Sequence, residues 1–261
     1  MYPPSRAATR TLHAVNDYYR LAPTLYDETV RGVPGDVEFY RDLAVASHGP
    51  VVELGVGTGR IAIPTTAAGI EVIGIDLAPE MLDVARVRAT AAGVTSTLRL
   101  VEGDMRTFTV EAPVPLVTIP FRSFLHNLED ADQAATLRAC HRALLPGGRL
   151  ALNVFNPDAS IIERWAAKPA AHHEPFDAAG RIEAHHDFRA EARTVTSRLR
   201  WREGGVTRRG TLTLRYVTRQ EMETLLETAG FEVEALTGDC LGTPFGEHST
   251  EQVWVARRTS A

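Results

Sequence analysis

From residue 51 onward, apolar positions fall in short continuous runs separated by stretches of helical periodicity. Residues 51–54, 72–75, 98–101 and 116–119 are apolar runs of the length of buried strands. Helical spacing occupies 60–68, the stretch from Pro79 to Gly93, and 131–145, where Pro146-Gly147-Gly148 ends it. Pro79 and Glu80 stand where proline and an acid suit a helix start. A fifth strand is expected at 149–155, a helix at 218–229 stopped by Gly230, and closing strands at 231–236 and 252–257. Strands alternating with helices of this length predict an α/β fold, a mainly parallel sheet with helices on both faces.

Two segments break that rhythm. Residues 1–48 read as an amphipathic helical cap, with Tyr18, Tyr19, Leu21, Leu25 and Tyr26 interrupted by Pro23, then a second helix over 35–47. Residues 157–217 alternate polar and apolar positions over 181–189, 193–201 and 207–216, with Gly204-Gly205 where a hairpin would turn. The pattern thus divides into a cap (1–48), a core (49–156 with 218–261) and an antiparallel β insertion after the fifth strand (157–217), whose hairpins permit a homodimer.

Composition narrows the picture by exclusion. At 261 residues, 44% hydrophobic and 23% charged, the chain suits one large α/β domain with an insertion, or two small domains. No apolar run approaches a membrane span and residues 1–6 lack a signal-peptide core, so a cytoplasmic location and no membrane partner are expected. The net charge of −5 supplies no reason to expect nucleic acid. Cys140 and Cys240 form no C-x-x-C pair. His172-His173 and His185-His186 each send neighbouring side chains to opposite strand faces, so no metal is expected.

The chemistry concentrates after the first strand, in Glu53-Leu54-Gly55-Val56-Gly57-Thr58-Gly59. Glycines between a buried strand and a helix let a ligand approach the backbone without meeting a Cβ. A dinucleotide fingerprint would have another glycine where Arg60 stands, and Glu53 suits an ammonium group better than a pyrophosphate. Asp76 ends the second strand, placed for ribose hydroxyls, and Leu77 and Met81 offer an apolar face to an adenine ring. Gly103-Asp104-Met105 follows the third strand and brings a carboxylate toward the adenine amino group.

These motifs, with Leu145-Pro146-Gly147-Gly148, resemble in order those of class I S-adenosylmethionine-dependent methyltransferases. The resemblance covers about residues 35–157 closely. It implies a Rossmann-like seven-stranded sheet ending in an antiparallel hairpin, and S-adenosyl-L-methionine as cofactor. It places Glu53, Gly55 and Gly57 at the methionine end, Asp76 at the ribose, and Asp104 with Met105 at the adenine. Gly59, Arg60, Gly103, Pro120 and Phe121 complete the expected cofactor contacts, and Tyr18 and Tyr26 resemble tyrosines that close over the methionine end. A nucleotide-dependent oxidoreductase and a catalytically silent cofactor-binding protein are the competing readings.

The segment Pro120-Phe121-Arg122-Ser123-Phe124-Leu125-His126 lacks the [D/N]-P-P-[Y/F/W] of nucleobase-amine methyltransferases. It is similar instead to small-molecule enzymes, including sugar-amine and glycine or sarcosine N-methyltransferases, several of which carry an antiparallel insertion after the fifth strand; by that resemblance residues 157–217 would be a substrate lid or dimer contact. The expected partner is therefore a small-molecule acceptor in specialised metabolism. His126 is the candidate general base, with a helix-start histidine packed against the sheet edge as its alternative. Arg122 is a candidate partner for an acceptor carboxylate or phosphate, with a structural salt bridge as its alternative. His248 in the 242–250 loop is a further pocket candidate.

Overall fold

The computed structural model describes residues 16–157, 162–163, 174–175 and 181–259. Residues 1–15 of the expected cap and His172-His173 lie outside the described residues. Three helices come first: α1 (Tyr18–Leu21), α2 (Pro23–Thr29) and α3 (Asp36–Ser47). Pro23 stands in the first turn of α2, which is why the chain restarts there. The core then runs β1 (Val51–Leu54), α4 (Ala62–Ala67), β2 (Val72–Asp76), α5 (Pro79–Ala91), β3 (Leu98–Glu102), β4 (Val114–Ile119), α6 (Asp130–Ala143) and β5 (Leu144–Phe155).

Seven strands form one sheet in the order β10-β11-β5-β4-β1-β2-β3, where β10 is Phe231–Thr237 and β11 is Glu251–Arg258. Only β11 runs against the other six. The order reverses between β1 and β4, so a crevice opens at the carboxyl ends of these strands. Every residue of β1 is buried, which explains its unbroken apolar run around Glu53.

One boundary differs from the sequence pattern. The helix expected to reach residue 145 stops at Ala143, and Leu144 already pairs with Val114 in the sheet. Leu144 is fully buried in the main core, and proline at 146 disfavours helical backbone at 145. The register then slips, so that Leu116 pairs with Arg149.

The insertion is a second sheet, β6-β7-β8-β9, all antiparallel: β6 (Glu174–Pro175), β7 (Ile182–Arg189), β8 (Thr194–Glu203) and β9 (Val206–Arg215). Gly204 and Gly205, with φ of 56° and 82°, make the β8–β9 turn. α1 belongs to this sheet, since Tyr18 and Ala22 are buried with Ile182, Leu199 and Trp201. α3 packs on the main sheet through Tyr40 and Ala44. The amino-terminal segment therefore spans both sheets. The chain returns through α7 (Arg219–Thr228), whose Thr218–Glu221 capping box fixes its start.

Candidate active site

The turn after β1 is built around three left-handed glycines, Gly55, Gly57 and Gly59, with φ of 69°, 55° and 79°. Gly55 and Val56 donate to the Ile75 carbonyl at 2.8 and 3.1 Å, which ties the turn to the end of β2. A Cβ on Gly55 would lie 2.6 Å from the Cβ and Oγ of Ser123. Asp76 accepts from the backbone N–H of Gly57 at 2.8 Å and of Ala78 at 2.9 Å. Its carboxylate is thereby set at the mouth of the crevice before any ligand arrives.

One cleft gathers these groups. Gly55, Gly57, Asp76, Leu77 and Met81 line one side, and Gly103, Asp104 and Met105 the next. Phe121 and His126 come from the loop after β4, and Tyr26 from α2. Tyr19, Asn16, Arg20, Arg106, Ser123 and Asn127 join them, and none of these was an expected cofactor or catalytic residue. Asp104 is buried and held in a bidentate pair with Arg106, Nε–Oδ1 2.9 Å and Nη2–Oδ2 2.5 Å; Arg106 also reaches Asp132 at 3.0 Å. Asp104, expected at the adenine edge, thus stands in the cleft as half of an Asp104–Arg106 pair.

Five expected cofactor contacts stand elsewhere. Glu53 does not line the cleft: it is 3% exposed, takes the backbone N–H of Ala62 and lies near Arg60. It caps the start of α4 rather than facing an ammonium group. Arg60 forms a bidentate pair with Asp36 at 2.8 and 2.6 Å and sits over the Phe121 ring. Gly59 makes room for Ile63, since a Cβ there would come 2.9 Å from Cδ1. Pro120 is buried beside the cleft, not on it. Tyr18 packs edge-on to Trp201 at 5.8 Å and faces a second cavity. In place of Tyr18, its neighbour Tyr19 faces the cleft.

Burial pushes the Glu53 carboxyl up to about 8, with Arg60 and the Ala62 N–H acting against it and Asp76 with it. A carboxyl raised in the fold keeps a proton that the unfolded chain has released. Its contribution to stability therefore falls as pH rises from about 4.5 to about 8. In urea unfolding, Glu53→Gln should flatten a slope of up to about 1.4 kcal/mol per pH unit. Identical slopes in both proteins would refute the assignment.

The loop after β4 carries two successive non-glycine residues in the left-handed region, Phe121 (φ 48°) and Arg122 (φ 67°). Buried Asn153 holds them, taking the Phe121 N–H on its side chain at 2.7 Å and the Arg122 N–H on its carbonyl at 3.0 Å. Arg122 pairs with buried Glu251, the structural salt bridge among its expected roles, while its side chain still borders the second cavity.

His126 ends this loop, with Nδ1 3.2 Å from Asn16 Nδ2 and Nε2 3.1 Å from the Tyr19 hydroxyl. Burial pushes its imidazole down to about 4, against a smaller upward pull from the Thr213 backbone. His126 thus lines the cleft with both ring nitrogens in hydrogen-bond contact.

The second cavity, about 500 Å³, opens beyond His126. Tyr19, Tyr26, Phe121 and His126 form the wall common to both spaces. Phe155 and, from the insertion, Val195, Leu212 and Leu214 make it apolar, while Arg31, Arg122 and His186 add polar groups and no carboxylate lines it among the described residues. His186 bonds Ser197 at 2.8 Å, whereas its neighbour His185 bonds Asp187 at 3.1 Å. His248 lines neither space. Among the described residues no group of three or more His, Cys, Asp or Glu is disposed to hold a metal.

The cleft fits an adenosyl sulfonium better than a dinucleotide. Glycines clear its floor, a carboxylate stands at the β2 end, and Leu77, Met81 and Met105 supply apolar surface. Glu53 occupies the Ala62 N–H at the start of α4, where a pyrophosphate would need to bind.

Residues 51–148 match a family model described as a methyltransferase domain. A demethylmenaquinone methyltransferase of Deinococcus radiodurans is 38% identical over 121 residues, 44% of this chain and 47% of that protein. The chain spans about half the length of the curated relatives it matches first. The CcbJ methyltransferase of Streptomyces caelestis shares the fold at a TM-score of 0.78 and 26% identity, over 92% of this chain and 96% of that one. An amino pentose methyltransferase of Micromonospora echinaspora, solved with S-adenosylmethionine bound, shares it at 0.61 and 23%, over 99% and 98%. Residues 51–148 thus carry a methyltransferase domain.

Proposed function

We propose that the whole chain transfers a methyl group from S-adenosylmethionine to a nucleophilic nitrogen, oxygen or carbon of a small molecule, in specialised metabolism. The observation that carries this reading is the shared wall: Tyr19, Tyr26, Phe121 and His126 border both the cleft and the second cavity. A methyl donor and its acceptor must meet in line, and two spaces joined at one wall provide that approach.

Asp76 would hold the ribose hydroxyls, Leu77, Met81 and Met105 the adenine ring, and the Gly55–Gly57 turn with Tyr26 the methionine end. When bound, S-adenosylmethionine supplies a methyl group already activated on sulfur, so the protein's task is alignment and exclusion of water. The apolar walls contributed by Phe155, Leu212 and Leu214 suit that task. No helix among the described residues is long and apolar enough to cross a membrane.

Calorimetry should show S-adenosylhomocysteine binding and no binding of NAD. In Asp76→Ala the lost charged contacts should weaken S-adenosylhomocysteine by about 2 kcal/mol, roughly thirty-fold. NAD binding, or an Asp76→Ala variant of unchanged affinity, would overturn the cofactor assignment. Transfer of label from the cofactor to a panel of amines, phenols and acidic carbon compounds then identifies the acceptor atom.

A further inference from the structure

The insertion sheet ends in β9, an edge strand whose unpaired backbone N–H groups need partners. Two residues just ahead of α1 supply them. Asp17 accepts from the Thr211 N–H at 2.6 Å, and Asn16 Oδ1 accepts from the Thr213 N–H at 2.6 Å. That second bond settles which way the Asn16 amide points, because only its oxygen can accept from an N–H. Its nitrogen is left facing His126 Nδ1 at 3.2 Å.

An amide nitrogen can only donate, so toward Asn16 the Nδ1 of a neutral His126 acts as acceptor, which puts the ring proton on Nε2; the Thr213 backbone, which also draws on a ring N–H, is the competing pull. Nε2 lies 3.1 Å from the Tyr19 hydroxyl, which therefore receives that proton in a hydrogen bond. The two rings meet edge to face, 5.3 Å between centres and 87° apart. Having accepted from His126, the Tyr19 hydroxyl keeps its own proton and a second lone pair for a partner at the junction of the two spaces. A bond from the edge of the insertion thus sets the hydrogen-bonding state of a group on the common wall.

We propose that Asn16 is a positioning residue that holds His126 in the Nε2–H tautomer, so that Tyr19 presents its hydroxyl to the methyl acceptor. The part concerning Asn16 and His126 stands on the geometry alone; the part concerning Tyr19 rests on the acceptor occupying the second cavity.

The test uses the full chain labelled with ¹⁵N-histidine, its ring nitrogens read by long-range proton–nitrogen correlation. The His126 signals are identified by their loss in His126→Gln. The wild type should show the Nε2–H tautomer. Asn16→Asp keeps an oxygen for Thr213 but turns a second acceptor toward Nδ1, and should convert His126 to the Nδ1–H tautomer. Should Asn16→Asp fail to fold, Asn16→Ala should give a mixture of the two tautomers. An Nδ1–H ring in the wild type, or a tautomer indifferent to either variant, overturns the role of Asn16.

With an acceptor in hand, Asn16→Asp and Tyr19→Phe should each lower kcat about ten-fold. A Tyr19→Phe variant with the wild-type kcat overturns the role of Tyr19. The tautomer measurement needs no turnover, so failure of the methyltransferase reading would be seen separately, in the cofactor titration.

Discussion

Glu251→Ala is expected to destabilise the protein by about 3 kcal/mol in urea unfolding, because it removes a buried charge that three elements share. Glu251 is 3% exposed at the start of β11. One carboxylate oxygen pairs with Arg122, and the other accepts from Asn153 Nδ2 at 2.9 Å. Asn153 is fully buried; its side-chain oxygen takes the Tyr40 hydroxyl at 2.8 Å and the Phe121 N–H at 2.7 Å. Without Glu251, Asn153 keeps a buried amide with no acceptor, and Arg122 loses its counterion. Arg122 is about one-third exposed, so water recovers part of that loss, which holds the estimate below the upper end for buried pairs.

The same network holds the left-handed pair Phe121–Arg122, a backbone state that persists only where the surroundings over-determine it. Glu251→Ala should therefore also loosen the wall between the two spaces. Glu251→Gln, which retains an acceptor for Asn153, should cost less than half as much. Equal unfolding free energies for wild type and Glu251→Ala would show that the network carries no stability.

Gly55→Ala should weaken S-adenosylhomocysteine by about 2–3 kcal/mol, on the order of a hundred-fold, even though alanine is the smallest side chain that can be added. Two causes act together. A φ of 69° is costly for any residue with a Cβ, and that Cβ would lie 2.6 Å from Ser123 Cβ and Oγ. Ser123 lines the cleft and opens the turn that leads to His126, so its displacement disturbs the ligand's surroundings directly. The two causes can be separated. Ser123→Gly removes the atoms in the way but leaves the dihedral strain, so the double variant should recover most of the lost affinity if the collision dominates. We expect that recovery; a double variant as weak as Gly55→Ala alone would place the cost in the backbone.

The core elements and the cradle were legible in the sequence because both depend on near neighbours. Buried strands announce themselves as apolar runs. The three alternate glycines mark a turn of positive φ, and Asp76 had to stand at a strand end because it closes the apolar run 72–75. The β8–β9 hairpin was readable for the same reason, from alternation around Gly204-Gly205.

What the tertiary structure alone decided is which way each side chain faces and what lies opposite. Tyr18 and Tyr19 are adjacent, but successive helical residues point about 100° apart, so one enters the insertion core and the other the cleft. Glu53 alternates inward along β1 and finds the start of α4, while Asp76, one strand over, reaches the crevice. The partner of Arg122 is Glu251, 129 residues away, and that of Asn16 is the Thr213 backbone, 197 residues away. No local periodicity records such distances: they arise only when the sheet brings β5, β11 and the insertion edge together around one loop.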